Sequence, residues 1–99
     1  MIYIVTYDIK FDCIDDPSAQ KRLKDISEVL CNYGLRRQRS IFECIMDSPK
    51  LEKMKKEISE VIDRDKDSVR IYVLCEKCLK KAVVQGVGEI VDIKEYAIV

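Results

Sequence analysis

Met1-Ile2-Tyr3-Ile4-Val5-Thr6-Tyr7-Asp8-Ile9 opens the chain and sets the reading of everything after it. From Ile2 to Asp8 the stretch holds only β-branched, aromatic and acidic residues, with no Gly or Pro. Such a run predicts a strand buried on both faces, and so central in its sheet. The run ends in a carboxylate. Aspartate is poor inside strands and costly to bury unpaired. Asp8 is therefore expected at the strand's C-terminal end, where water or a cation reaches it. The plainer alternative is that Asp8 caps the turn that follows.

Working outward, 99 residues make one domain with a thin core. A composition of 47% hydrophobic and 36% charged residues excludes a disordered chain. No apolar run approaches the roughly 20 residues that cross a bilayer. The first residues lack a basic signal region, so the expected location is cytoplasmic, with no membrane partner. The net charge of zero argues against a generally basic nucleic-acid binder. Its distribution is uneven, however. Between Gln20 and Ser40 lie six basic residues, Lys21, Arg22, Lys24, Arg36, Arg37 and Arg39, against the acidic Asp25 and Glu28. The first 19 residues instead hold one lysine and four aspartates.

After Asp8 comes an acidic connection. Asp16-Pro17 then reads as a helix cap followed by proline at the first helical position. Ala19, Leu23, Ile26, Leu30 and Tyr33 recur as one apolar stripe, and Gly34 is placed for a left-handed stop. Residues 35–46 read as one extended run, basic at its entry and apolar at its exit. Alternation puts Ser40, Phe42, Cys44 and Met46 on one face, with Arg37, Arg39, Ile41, Glu43 and Ile45 on the other. Asp47-Ser48-Pro49 signals a second helix, with Ser48 as its cap and Leu51, Met54, Ile58 and Val61 as its stripe. Residues 69–75 predict another strand, with Val69, Ile71, Val73 and Cys75 on one face. A short basic turn or helix spans residues 76–81, residues 82–85 read as a short strand, and residues 90–99 are mostly extended.

This order resembles a split-βαβ, ferredoxin-like sandwich with one strand lacking its hairpin partner. The first crossover is long enough for a parallel or an antiparallel return. The terminal segment has no place in a compact four-stranded sheet, so it is expected to pair with the edge of a second copy, giving a homodimer. The domain then divides into a core of residues 1–81 and C-terminal strands, residues 82–99, at the dimer interface.

The chemistry-bearing residues are few. The chain has no histidine, which removes the usual neutral-pH base and the commonest zinc ligand. A lone carboxylate holds magnesium weakly, but Asp8 and its mate in a symmetric dimer would supply two. Arg36, Arg37 and Arg39 present guanidinium forks suited to phosphate, or else keep an edge strand charged against aggregation. Arg22 and Lys21 would extend a phosphate track along the first helix. Tyr7 reads as a packed aromatic whose hydroxyl reaches toward phosphate. Five cysteines without a secretory signal read as free thiols. Cys75-Glu76-Lys77-Cys78 is half a zinc site with nothing to complete it, or a redox pair at a helix start, or incidental thiols.

Three stretches carry a resemblance to a known family. They are Ile4-Val5-Thr6-Tyr7-Asp8-Ile9, Lys21-Arg22-Leu23, and the run from Tyr33-Gly34-Leu35-Arg36-Arg37 through Ser40-Ile41-Phe42-Glu43-Cys44; Val69-Arg70-Ile71-Tyr72-Val73-Leu74-Cys75 adds to them. Together they resemble the small CRISPR-associated adaptation proteins, the Cas-two family, over nearly the whole chain. The resemblance implies an α+β, ferredoxin-like βαββαβ sandwich whose extra C-terminal strand is exchanged in a homodimer. It implies Asp8 as a magnesium position at the dimer interface, with Tyr7 beside it in catalysis. By motif match it places Tyr7, Arg22, Arg36, Ser40 and Phe42 at positions associated with activity or nucleic-acid contact, to which the arginine cluster adds Arg37 and Arg39 as nucleic-acid-binding candidates. Its implied activity is metal-dependent cleavage of single-stranded RNA or DNA. Its other implied role is that of an adaptor holding duplex DNA with the adaptation integrase during spacer acquisition. The loop after Asp8 is longer and more acidic here than the family's common short turn. Outside the resemblance, a small regulatory module binding a metabolite at its dimer interface is the alternative.

Overall fold

The computed structural model describes residues 1–88. Its elements are β1 (Ile2–Asp8), α1 (Pro17–Cys31), β2 (Gly34–Gln38), β3 (Ile41–Ile45), α2 (Ser48–Val61), β4 (Ser68–Leu74) and α3 (Glu76–Lys80). The four strands form one sheet in the order β2-β3-β1-β4, with every neighbouring pair antiparallel. β1 and β2 are therefore parallel and joined through α1, as β3 and β4 are through α2. The two crossovers interlock as a split βαβ pair, which is the ferredoxin-like arrangement.

The expected central strand is central: β1 pairs β3 on one side and β4 on the other. Its burial alternates, however. Tyr3, Val5 and Tyr7 lie in the core beneath α1 and α2, whereas Ile4 and Thr6 are half-exposed and Asp8 is exposed. Continuous apolar sequence thus marks a strand whose second face is covered by no helix among the described residues. By register and alternation that face carries the buried Ile2, then Ile4, Thr6 and Asp8 from β1, with Ile41, Glu43 and Ile45 from β3. Leu35 of β2 and Ser68, Arg70 and Tyr72 of β4 complete it. The covered face packs Tyr3, Val5, Tyr7, Phe42, Cys44 and Met46 against Ala19, Ile26, Leu30, Met54 and Ile58. Cys44 is fully buried, and burial first, then the Glu43 charge, pushes its thiol up to about 11.

Several local expectations change. The extended run of residues 35–46 is two strands, not one. It folds back at Arg39-Ser40 into a hairpin and so provides the missing partner strand, with a register shift between Arg36 and Gln38. Gly34 does not stop α1 in a left-handed conformation. Positive φ among the described residues occurs only at Gly86 and Gly88. What Gly34 answers is close approach: a Cβ there would stand 2.3 Å from the Glu43 carbonyl oxygen and 2.9 Å from the Cys44 Cα. α1 ends at Asn32 instead, with Asn32 and Tyr33 donating back to the Val29 and Leu30 carbonyls.

The cap of α2 is Asp47, not Ser48; its carboxylate accepts from the Lys50 N–H at 3.0 Å. A carboxylate accepts from the same first-turn amides as a hydroxyl and, being charged, also meets the positive end of the helix. Leu23, expected in the α1 stripe, is 39% exposed. Residues 82–85, read as a strand, form none, because a strand exists only by pairing and no described sheet edge meets them. The proposed strand exchange through residues 90–99 lies outside the described residues. No described helix is long and apolar enough to cross a membrane.

Candidate functional site

Antiparallel pairing brings the end of β1, the start of β4 and the β2–β3 turn to one end of the sheet. Asp8 is the Cα partner of Ser68, Thr6 of Arg70 on β4, and Thr6 of Ile41 on β3. Asp8 lies exposed on the open face there, in a shallow depression of about 190 Å³ lined by Thr6, Tyr7, Asp8, Ser68 and Arg70. One carboxylate, the hydroxyls of Thr6 and Ser68 and one guanidinium thus share a water-accessible recess.

Tyr7 points the other way. Its ring is buried against Phe42, centroids 6.3 Å apart. Its hydroxyl donates to the Arg39 carbonyl at 2.6 Å, while its backbone N–H donates to the Ser40 carbonyl at 3.2 Å. Tyr7 therefore fastens the hairpin turn to the strand that ends in Asp8. Arg36 contributes to the same lock, donating to the Arg39 carbonyl through Nε at 3.2 Å and Nη2 at 2.7 Å. Its guanidinium also lies 5.7 Å from the Phe42 ring centre, a cation–π distance.

The expected nucleic-acid residues separate on inspection. Arg36 and Arg39 are exposed at the hairpin end. Arg37 is partly neutralised by Glu43 across the hairpin at 3.1 Å. Ser40 is half-buried in the turn. Phe42 has no exposed surface, so it supports Arg36 from below and does not itself meet a ligand.

Arg22 is engaged elsewhere. Its Nε donates to Asp67 at 2.8 Å, with the two side chains only 11% and 0% exposed. The same guanidinium donates to Ser18 Oγ at 2.7 Å and to the Lys10 carbonyl at 3.0 Å. Asp67 in turn accepts from the Lys10 N–H at 3.1 Å and the Asp63 N–H at 2.8 Å. Burial alone would raise the Asp67 carboxyl; the bond from Arg22 and those two N–H groups outweigh it and hold the group below its ordinary value. Arg22 and Asp67 together grip the backbone of Lys10, two residues beyond Asp8. Lys66 adds a second tie to the same loop, 2.6 Å from Asp12. The long acidic loop is therefore strapped down at its start, and one of its carboxylates is already paired.

The open-face residues Ser68 and Arg70 and the buried Asp67 were absent from the sequence-level candidates. The signal for Arg70 was present: placing Val69 and Ile71 on the core face puts Arg70 on the face of Asp8. Asp67 had no such signal, sitting in the charged run Asp63-Arg64-Asp65-Lys66-Asp67.

As a metal centre one chain is sparse. Among the described residues no three His, Cys, Asp or Glu side chains are grouped to hold an ion. A single exposed carboxylate fits magnesium only where most ligands are water or phosphate oxygens.

A ferredoxin-like sheet whose central strand ends in an exposed carboxylate, flanked by an arginine-bearing hairpin, defines a class of small α+β proteins with an acidic tip and a basic rim at one end. The chain belongs to the family described as CRISPR associated protein Cas2, whose model matches residues 1–82. It is 36% identical over 95 residues to a CRISPR-associated endonuclease Cas2 of Halalkalibacterium halodurans, covering 96% of each chain. It is also 36% identical to a CRISPR-associated endoribonuclease Cas2 of Nitratidesulfovibrio vulgaris, over 75% of this chain and 70% of that one. Among solved structures, Streptococcus pyogenes Cas2 at pH 6.5 matches with a TM-score of 0.73 at 30% identity, over 87% of this chain and all of that one. A Thermus thermophilus protein described as hypothetical matches with a TM-score of 0.68 at 33% identity, over 89% and 93% of the two chains.

Proposed function

We propose that this protein works as a homodimer that binds duplex DNA alongside the CRISPR adaptation integrase, and that it carries a magnesium-dependent phosphodiesterase site at Asp8. The observation that supports this most directly is the placement of Asp8 with Arg70 on the open sheet face, at the end where Arg36 and Arg39 project. The open face also carries the half-buried Ile4, Ile41 and Ile45 and the exposed Leu35 and Tyr72, apolar surface that a second copy would cover. Two copies facing one another would bring two Asp8 carboxylates together, the pair that one chain lacks.

In this reading Asp8 and the partner's Asp8 would hold magnesium, which would supply Lewis-acid polarisation of a phosphate oxygen. Arg70 and Arg36 offset phosphate charge. Tyr7 and Phe42 act beneath the surface, fixing the hairpin so that Arg36 and Arg39 keep a constant distance from Asp8. Phosphate contacts position a nucleic acid without reading its sequence, so binding is expected to be sequence-tolerant. The relatives named endonuclease and endoribonuclease support the hydrolytic half of the proposal.

The deciding experiment separates the two halves. Asp8→Ala is assayed for cleavage of single-stranded RNA and of duplex DNA with magnesium and with a chelator, and independently for duplex binding and for spacer integration beside the integrase. Cleavage is expected to vanish while duplex binding and integration persist. Cleavage that survives in both Asp8→Ala and chelator overturns the site. Loss of duplex binding in a folded Asp8→Ala dimer overturns the division of labour.

A further inference from the structure

The Cys75-Glu76-Lys77-Cys78 motif is used by nothing described so far. Cys75 is the residue between β4 and α3, and Cys78 lies in the first turn of α3. Both side chains are exposed, with their sulfurs 3.4 Å apart and hydrogen-bonded. The other three cysteines, Cys13, Cys31 and the buried Cys44, form no such pair. We infer that Cys75 and Cys78 form a reversible dithiol–disulfide site at the joint where the chain leaves the sheet.

The chemistry follows from proximity and from asymmetry between the two thiols. The backbone N–H of Cys78 first, then the Cys78 thiol, bias Cys75 below the ordinary cysteine range, while the shared proton pushes Cys78 up. Cys75 is thus the attacking sulfur and Cys78 the resolving one. With a small-molecule disulfide such as oxidised glutathione, the Cys75 thiolate bonds to one sulfur and expels one glutathione thiolate. The Cys78 thiolate then attacks the Cys75 sulfur and expels the second. The two cysteines lose two electrons and two protons, and the oxidant becomes two thiols. The new bond closes a ring through Glu76 and Lys77. It fixes the turn that follows β4, while leaving the core untouched.

The full chain is equilibrated over a series of reduced and oxidised glutathione, quenched with acid, alkylated and digested with trypsin. Trypsin cuts after Lys77, so the two cysteines leave as separate peptides when reduced and as one linked pair when oxidised. The linked pair is expected to accumulate with oxidant, to disappear on adding dithiothreitol, and to dominate at ratios where Cys13 and Cys31 carry only glutathione adducts. Cys75→Ser and Cys78→Ser should each leave a persistent adduct on the remaining thiol. The reduced chain should also retain one phenylarsine oxide against a monothiol competitor, and Cys75→Ser should lose it. Backbone amides of residues 76–82 should exchange more slowly in the oxidised chain. Separate glutathione adducts on Cys75 and Cys78 with no linked peptide overturn the inference, as does equal linkage of either to Cys13 or Cys31.

Discussion

At Asp67 a single carboxylate decides how the loop behind Asp8 behaves in acid. Its folded value is held down by Arg22 and two backbone N–H groups acting against burial. A depressed carboxylate stabilises the fold fully above its unfolded value, near pH 4, and loses that contribution as pH falls through the lower folded value. The native chain should therefore lose stability below about pH 4, and Asp67→Asn should flatten that acid limb while lowering the melting temperature at neutral pH. Melting curves from pH 2 to 7 check both, and an unchanged acid limb in Asp67→Asn removes the clamp reading. Gly34 makes a comparably sharp case. A Cβ aimed at the Glu43 carbonyl must spread the hairpin, so Gly34→Ala should cost about 1–3 kcal/mol. That corresponds to roughly 4–8 °C of melting temperature per kcal/mol, and calorimetry reads it.

At the scale of elements, the β2–β3 hairpin is where sequence reading and structure diverge most usefully. Both alternation patterns within residues 35–46 were legible, and the buried set Phe42, Cys44 and Met46 follows them. The break at Arg39-Ser40 was not, because it lacks the glycine, proline or asparagine that marks most tight turns. What holds it is long-range: Tyr7 and Arg36 converge on the Arg39 carbonyl. The arginines were visible as phosphate candidates, but their partners were not, since Asp67 lies 45 residues from Arg22 and its carboxylate reads as one of several in a charged loop. Two expectations follow for the hairpin. Arg36→Ala and Arg39→Ala should each reduce the slope of log binding constant against log salt by about 0.9 on duplex DNA, and Arg37→Ala by less, because Glu43 already offsets it. Equal slopes for all three would show that the Glu43 pair opens on binding. Tyr7→Phe should keep the ring packing but lose the bond to the Arg39 carbonyl, costing about 1 kcal/mol in denaturant melts.

For the molecule as a whole, the decisive asymmetry lies between the two faces of the sheet. One is sealed by α1 and α2; the other, among the described residues, carries apolar side chains that no helix covers around an acidic tip. If a second copy covers that face, the melting temperature should rise with protein concentration. Ile4→Glu sets a carboxylate opposite Glu43, its Cα partner, and should yield a folded monomer by light scattering, since Ile4 lies outside the helix-side core. A dimer that persists in Ile4→Glu would place the interface elsewhere. The sealed face holds one more property of use. Cys44 lies wholly inside it, its thiol pushed up to about 11, while Cys13, Cys31, Cys75 and Cys78 are exposed. Four sulfurs are thus open to an alkylating reagent at once, and the fifth waits until the helices lift from the strands. The chain comes with a built-in stopwatch: the delay before its last cysteine is labelled times the rarest of its excursions, without a fluorophore or any change of sequence.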